Sequence, residues 1–383
     1  MRRVLIMGVA LVLLASACGS DGDTQTAGEP ASNADTASAT DTTTTSAPTT
    51  IPPTTTEASE PTPSWVQINA EGCVCSDGSD YTYWLREADP TRVMLFFDGG
   101  GACFSAETCN PDDPAYSTQA DDNMTEADTG VFDLANPANP VANWSMIFMP
   151  YCTGDVHLGT NTEVDYGDGI VVNHLGYTNA ENGLDALISR FPNAEQILVT
   201  GSSAGGVPTP LFAGLVADAF PDADVMGLPD GSGGYPSNPG LNALIGNLWG
   251  TSGAIPDWTS TADVTAAEFG IPDLYGLAAT EFPAIRWARF DHAYDGTQAT
   301  FSALAGLADS TVKAVLDINE ALAESSGIDL DVYVAPGTEH TILARPEMYD
   351  LEVNGTRFVD WFSAFLAGDD ISDVVCVDCE QPG

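Results

Sequence analysis

The chain has 383 residues, enough for one large domain or two ordinary ones. Hydrophobic residues make up 44% and aromatics 9%, so a sizeable core can be buried and wholesale disorder is excluded. Fifty-five acidic residues face ten basic ones, for a formal charge of −45, and Lys313 is the single lysine. Such a surface repels phosphate backbones and anionic bilayers, which argues against nucleic acid as a partner. The charge is spread along the chain as a solvated acidic shell, read either as adaptation to a salty medium or as the surface of an acidic secreted protein.

At the N-terminus, Arg2 and Arg3 precede an apolar run from Val4 to Leu14 that is too short to span a bilayer and has signal-peptide proportions. The run ends in Leu14-Ala15-Ser16-Ala17-Cys18-Gly19-Ser20, which resembles a bacterial lipobox with alanine where leucine is commoner. Residues 1–17 are expected to be a signal peptide. Cys18 would then be lipidated at the outer face of a bacterial membrane; cleavage after Ala17 without lipidation would give a secreted protein. No other segment is long and apolar enough to cross a membrane, so contact with one is expected only through Cys18. In residues 19–64, 14 of 46 positions are Thr, six are Ser and six are Pro. Residues 18–64 therefore read as a disordered tether, with nothing to bury against the entropy of ordering.

Residues 65–383 read as one folded domain. Strand-length apolar runs occur at Tyr81–Leu85, Val93–Phe97, Ser145–Pro150, Gln196–Thr200, Asp224–Leu228, Ala284–Phe290 and Leu330–Ala335. Several are continuous rather than alternating, as strands buried on both faces are. Helical patterns lie between them at Thr178–Phe191, Gly205–Phe220, Val312–Ser325 and Arg357–Leu366. This alternation predicts an α/β fold, a mainly parallel sheet with helices on both faces. The Gly-, Pro-, Trp- and Leu-rich stretch Pro236–Phe282 breaks the rhythm and reads as a cap inserted over the sheet edge.

Seven cysteines follow Cys18, and in an exported chain they are read first as disulfides. Cys73 and Cys75 open the domain and Cys376 and Cys379 close it, which suggests bridges stapling the two ends, with three connectivities open. A four-cysteine zinc site is the competing reading, disfavoured by the C-x-C spacing and the lack of a nearby histidine. Cys103, Cys109 and Cys152 are expected to form one bridge and leave one buried thiol.

The residues that carry chemistry come in four places. The strand Val93–Phe97 runs into Asp98-Gly99-Gly100-Gly101-Ala102-Cys103-Phe104, a glycine loop whose backbone N–H groups can face an oxyanion unobstructed. It lacks the G-K-[ST] ending of a phosphate loop. The strand Gln196–Thr200 runs into Gly201-Ser202-Ser203-Ala204-Gly205-Gly206, a G-x-S-x-G between strand and helix, the setting of a nucleophile elbow. The helix is expected to begin at Ser203, aiming its N-terminal amides at a developing anion. A serine needs a base. Of the four histidines, His340 follows the strand Asp331–Ala335 and fits best, with His292 the rival. His157 and His174 precede the serine and read as loop or substrate-side residues. For the acid, Asp295 after the strand Ala284–Phe290 fits best, then Asp291, then Asp230.

Together Phe97–Phe104, Phe148–His157, Gly201–Gly206 and Ala293–Gln298 resemble the pectin acetylesterase and Notum family of α/β-hydrolase-like enzymes. The family pattern there is a glycine loop leading to Cys, a P-Y-C segment with an acidic residue, G-C-S-A-G-G, and Y-D-x-x-Q. The resemblance implies Ser203 as nucleophile, Asp295 as acid and His340 as base, with Gly100, Gly101 and Ala204 as oxyanion donors. Ser202 replaces the usual Cys, and Ala102 stands near where relatives carry a large aromatic.

The expected activity is two-step acyl transfer without metal or organic cofactor, on an acylated small molecule or polysaccharide, with acetyl as the leading acyl group. A polyanionic enzyme should bind unesterified polyuronate poorly, which counts against pectin itself. The alternatives are a lipid-type esterase or peptidase on the same scaffold, and a non-catalytic cell-surface binding protein. The Asp165-Tyr-Gly-Asp168 cluster lacks full calcium-loop spacing and reads as a solvated turn.

Overall fold

A computed structural model describes residues 63–377 and 379, apart from 121 and 308. The signal peptide, Cys18 and nearly all of the expected tether lie outside the described residues. In chain order the first strands are β1 (Trp65–Val74), β2 (Asp80–Arg86), β3 (Asp89–Phe97) and β4 (Trp144–Met149). A hairpin of β5 (Asn161–Gly167) and β6 (Ile170–His174) follows, then α1 (Gly176–Arg190), β7 (Gln196–Ser202), α2 (Thr209–Ala219) and β8 (Asp224–Asp230). Next come α3 (Pro239–Trp249), α4 (Asp273–Glu281), β9 (Arg286–His292), α5 (Gly296–Leu304), α6 (Val312–Ser325) and β10 (Leu330–Ala335). The chain closes with the hairpin β11 (Glu352–Val353) and β12 (Thr356–Arg357), then α7 (Phe358–Ala367) and β13 (Val374–Val375).

Nine strands form one sheet in the order β1-β2-β4-β3-β7-β8-β9-β10-β13. From β4 to β13 every pairing is parallel; β1 and β2 add an antiparallel edge. The reason is legible in the strands themselves. Val93–Phe97, Ile197–Val199 and Ala288 and Phe290 are fully buried, so both sheet faces are covered. Helix α1 packs on β1, β3 and β4, α2 on β7 and β8, and α6 on β10. The fold is the expected α/β architecture.

Two local expectations change. Helix α2 does not begin at the serine: Ser203–Gly205 form a single 3-10 turn, and the α-helix starts at Thr209. Proline fits only the first turn of a helix, so Pro210 sets the start. The stretch Pro236–Phe282 was expected over a sheet edge. It instead packs on α2 through α4 and on hairpin β5–β6 through α3.

The disulfide expectation is also corrected. The bridges among the described residues are Cys75–Cys152, Cys103–Cys109 and Cys376–Cys379. The domain ends cannot be stapled because β1 and β13 are the opposite edges of the sheet. Eight strand spacings separate them by about 40 Å, while a disulfide needs Cα atoms within about 7 Å. Cys152 pairs with Cys75, and the buried cysteine outside these bridges is Cys73, whose sulfur accepts a hydrogen bond from Asn182 Nδ2 at 3.1 Å. Oxidised Cys75, Cys376 and Cys379 cannot be zinc thiolates. Three bridges fit folding in an oxidising compartment.

Candidate active site

Strands β3 and β7 pair in parallel with Phe97 beside Gly201, so their C-terminal ends bring the glycine loop and the serine turn together. A Cβ on Gly205 would sit 2.0 Å from the Phe97 carbonyl, and one on Gly201 2.3 Å from the Gly205 carbonyl. Both positions must be glycine for this turn to lie against β3. Ser203 itself has φ +58°, a left-handed conformation that costs a non-glycine residue about 1 kcal/mol or more. That geometry turns the chain sharply at Ser203 and places the residue on the wall of a cavity.

Asp295 and His340 meet. His340 Nδ1 donates to Asp295 Oδ2 at 2.6 Å. Asp295 caps α5, its Oδ1 accepting the Thr297 and Gln298 amides, and its Oδ2 also accepts from Gln298 Nε2. The carboxyl group is fully buried and receives four donors, which fix its orientation. The other ring nitrogen, His340 Nε2, is buried and without a hydrogen-bond partner among the described residues. It makes no direct hydrogen bond to Ser203; such bonds commonly tighten only with substrate bound.

The rivals sit elsewhere. His292 Nδ1 donates to the Pro336 carbonyl at 3.0 Å. His157, buried, donates from Nε2 to the Asp98 carbonyl at 2.9 Å, bracing the glycine loop. His174, also buried, donates from Nδ1 to Thr153 O and accepts from Tyr166 O–H at 2.7 Å. Burial lowers the pKa of both histidines, as two neutral rings require. Asp291 accepts Gly233 N–H and Gln298 Nε2 and lies 2.9 Å from Arg289 Nε. That last contact is a close charge pair without hydrogen-bond alignment. Burial pushes Asp291 up to about 6 against the pull of Arg289. Asp230 accepts the Ser202 hydroxyl and the amides of Ile342 and Leu343, so it ties the serine turn to the His340 loop. Burial raises its pKa despite these donors.

The Gly99–Gly101 loop is fixed from outside. Ser117 N–H donates to the Gly100 carbonyl and Ala102 N–H to the Ala115 carbonyl, a ladder that skips the Gly101 amide. Gly101 has φ +80°, and a Cβ there would be 2.1 Å from the Ala115 carbonyl. Gly101 and Ala204 line the cavity with Ser203; Gly100 is not among its lining residues. The carboxyl of Asp98 is crowded by protein atoms although the residue keeps partial surface exposure. Burial, with Asp122 repelling, pushes it up to about 8.

The cavity measures about 130 Å³. Its wall is largely apolar, with Leu241, Ile245 and Trp249 from α3, Phe301 from α5, and Phe104 and Leu158 from loops. Val156 and His157 are both left-handed, with φ +51° and +58°, and the Tyr151 hydroxyl accepts the Val156 amide to hold that bend. Sequence reasoning missed that α3 builds the wall, because no local pattern says which side of the sheet a cap covers. It also missed the roles of Asp230 as a clamp and of Gln298. The latter had a signal, since positions three apart at a helix start share a face. Among the described residues no group of three His, Cys, Asp or Glu side chains could hold a metal ion.

Comparison with known proteins gives the family. A pectinacetylesterase profile matches residues 56–239, which include the glycine loop and the serine turn. The chain belongs to the pectinacetylesterase family. It is 32% identical over 171 residues to the mouse (Mus musculus) palmitoleoyl-protein carboxylesterase NOTUM, covering 41% of this chain and 33% of that one. It is 30% identical over 183 residues to the Xenopus laevis palmitoleoyl-protein carboxylesterase notum1, covering 43% and 35%. A zebrafish (Danio rerio) relative named inactive palmitoleoyl-protein carboxylesterase notum1b is 32% identical over 101 residues, 24% of this chain and 69% of that one. The match thus spans about a third of the length of the mouse and frog relatives.

Proposed function

We propose that this pectinacetylesterase-family chain is a serine carboxylesterase that works through a Ser203–His340–Asp295 acyl-enzyme mechanism. The observation that carries the reading is the left-handed Ser203 at a cavity wall, next to an oxyanion-type glycine loop, with His340 on the buried Asp295 and its loop held to the same turn through Asp230. One relative in the family is named inactive, so the site rather than membership supports activity.

In this mechanism His340 Nε2 takes the Ser203 proton as Oγ attacks the ester carbonyl. Asp295 fixes the ring through Nδ1 and stabilises the imidazolium. The Gly101 and Ala204 amides, with Gly100 behind them, receive the negative oxygen of the tetrahedral intermediate. The imidazolium returns its proton to the departing alcohol, and water, deprotonated by the same base, releases the acid.

An acetyl ester remains the small-substrate reading, on a polysaccharide or a small molecule. The cavity favours a longer acyl group, the lipid-type alternative. A volume of about 130 Å³ is close to that of the ~150 Å³ apolar cavity known to admit a benzene ring, whereas a single acetyl methyl leaves most of it unfilled. The relatives named palmitoleoyl-protein carboxylesterases point the same way. Export, with lipidation at Cys18 and a tether over residues 18–64, remains part of the proposal and rests on the N-terminal sequence.

The test is hydrolysis of p-nitrophenyl acetate, butyrate and octanoate by the full chain and by Ser203→Ala. The expected result is a loss of at least ~10³-fold in kcat/KM in the variant. Equal rates from two folded proteins would overturn the reading.

A further inference from the structure

Gln298 lies in the first turn of α5 and is fully buried. Its side-chain amide is used at every atom. Nε2 donates to Asp295 Oδ2 at 3.0 Å and to Asp291 Oδ1 at 2.9 Å, while Oε1 accepts the Gly234 amide at 2.7 Å. The amide orientation is therefore fixed: only the NH₂ end can face two carboxylates, and only the oxygen can face a backbone N–H. One hydrogen donor set thus bridges two buried acids. The same Asp291 oxygen also accepts the Gly233 N–H, and its other oxygen lies 2.9 Å from Arg289 Nε. Gly233 and Gly234 lead directly into Tyr235 and Pro236, which line the cavity beside Ser203.

We infer that Gln298 is a positioning residue that sets both the orientation and the proton affinity of the Asp295–His340 pair, and that it links this pair to the acyl-cavity wall. The inference rests on the esterase reading for its kinetic consequence but not for its physical one. Asp295 Oδ2 is shared by two donors, Gln298 Nε2 and His340 Nδ1. Each donor to an anion lowers its hunger for the next. Without the Gln298 donor, Asp295 holds the proton on His340 more tightly, and His340 becomes harder to deprotonate. Other charged groups near the pair are Asp230 of β8, tied to Ile342 and Leu343, and Asp291 with Arg289 of β9. Glu339, the residue before His340, lies 3.9 Å from His292 instead.

The step is also specific in shape. A glutamate at 298 keeps the length but places a third carboxyl against two buried ones, and its carboxylate oxygen cannot donate to either. A methionine keeps the volume and removes the donors and the acceptor together. Both substitutions therefore remove the bridge while largely preserving packing.

The experiment compares the full chain with Gln298→Met and Gln298→Glu, each first checked for folding by near-UV circular dichroism. The first readout is the His340 pKa by ¹⁵N NMR titration of the histidine rings, assigned with His340→Gln. The second is the pH profile of kcat/KM on p-nitrophenyl butyrate. The expected result is a His340 pKa raised by at least about half a unit in either variant. The acid limb of the profile should move up with it, and kcat should fall about tenfold or more with KM nearly unchanged. An unshifted His340 pKa in a folded variant overturns the inference, as does loss of folding in both variants, which assigns Gln298 a structural role only. A shifted pKa in a chain without esterase activity would leave Gln298's hold on the pair standing and remove the esterase reading instead.

Discussion

The Ser202 hydroxyl donates to Asp230 Oδ2 at 2.7 Å, and the same carboxylate accepts the amides of Ile342 and Leu343. One buried acid at the end of β8 therefore joins the turn that carries Ser203 to the loop that carries His340. Asparagine at 230 has one acceptor oxygen for these donors and turns an N–H group toward the others. Asp230→Asn should destabilise the protein by about 1–3 kcal/mol and lower esterase turnover. Urea unfolding and p-nitrophenyl ester kinetics check both. Unchanged stability and turnover together would show that the clamp is incidental.

Acyl length tests the cavity. Each buried methylene contributes about 0.8 kcal/mol, so butyrate should exceed acetate by roughly tenfold in kcat/KM. Ile245 on α3 lines the cavity and is only partly buried, so a larger side chain there can be accommodated without unfolding. Ile245→Trp should abolish the preference for longer esters and spare acetate. A preference that survives this substitution would place the acyl group elsewhere.

Stability should depend on pH with a definite sign. Burial raises Asp291 and Asp331 to about 6 and Asp98 to about 8. In the window between the ordinary carboxylate range and these values, the folded chain binds more protons at these groups than the unfolded one. These carboxyls make stability fall as pH rises from about 4 to 8, while the buried His157 and His174, whose pKa is lowered, oppose the fall up to the ordinary histidine value and leave it unopposed above. Asp291→Asn should flatten that slope, measured by Tm across the series. An unchanged slope in Asp291→Asn would mean that this carboxyl is ionised in the fold at pH 5.

The disulfides should differ in weight. Cys75–Cys152 closes 77 residues and Cys103–Cys109 closes 6. In the chain-entropy account these correspond to about 4.5 and about 2 kcal/mol. Paired Cys→Ser variants, followed by urea unfolding, should rank in that order. The reverse order would show that local packing around the 103–109 loop outweighs loop entropy.

Much of the fold was legible because burial on both faces leaves a local trace. Val93–Phe97 and Gln196–Thr200 are continuous apolar runs, and each ends in a glycine-bounded turn that the structure places side by side. The exact helix start was not legible from periodicity, since Gly205–Phe220 is apolar but for Thr209 and Asp218; Pro210 held that information instead. Among the candidate residues, Asp295 and His340 could be named from their order after strands, but Asp291 and Asp230 satisfied the same rule. Only their hydrogen-bond partners separate the three acids.

By itself the sequence determined what depends on neighbours along the chain: the strand and helix alternation, the acidic surface, and the elbow that forces Ser203 into a left-handed turn. These follow from side-chain size, charge and backbone sterics within a few residues. Tertiary structure alone decided which cysteines meet, which acid faces His340, and that the Pro236–Phe282 stretch packs on α2 and walls the cavity through α3. Those outcomes depend on strand order. The two ends of the domain lie at opposite sheet edges, while residues far apart in sequence converge at the C-terminal ends of neighbouring parallel strands.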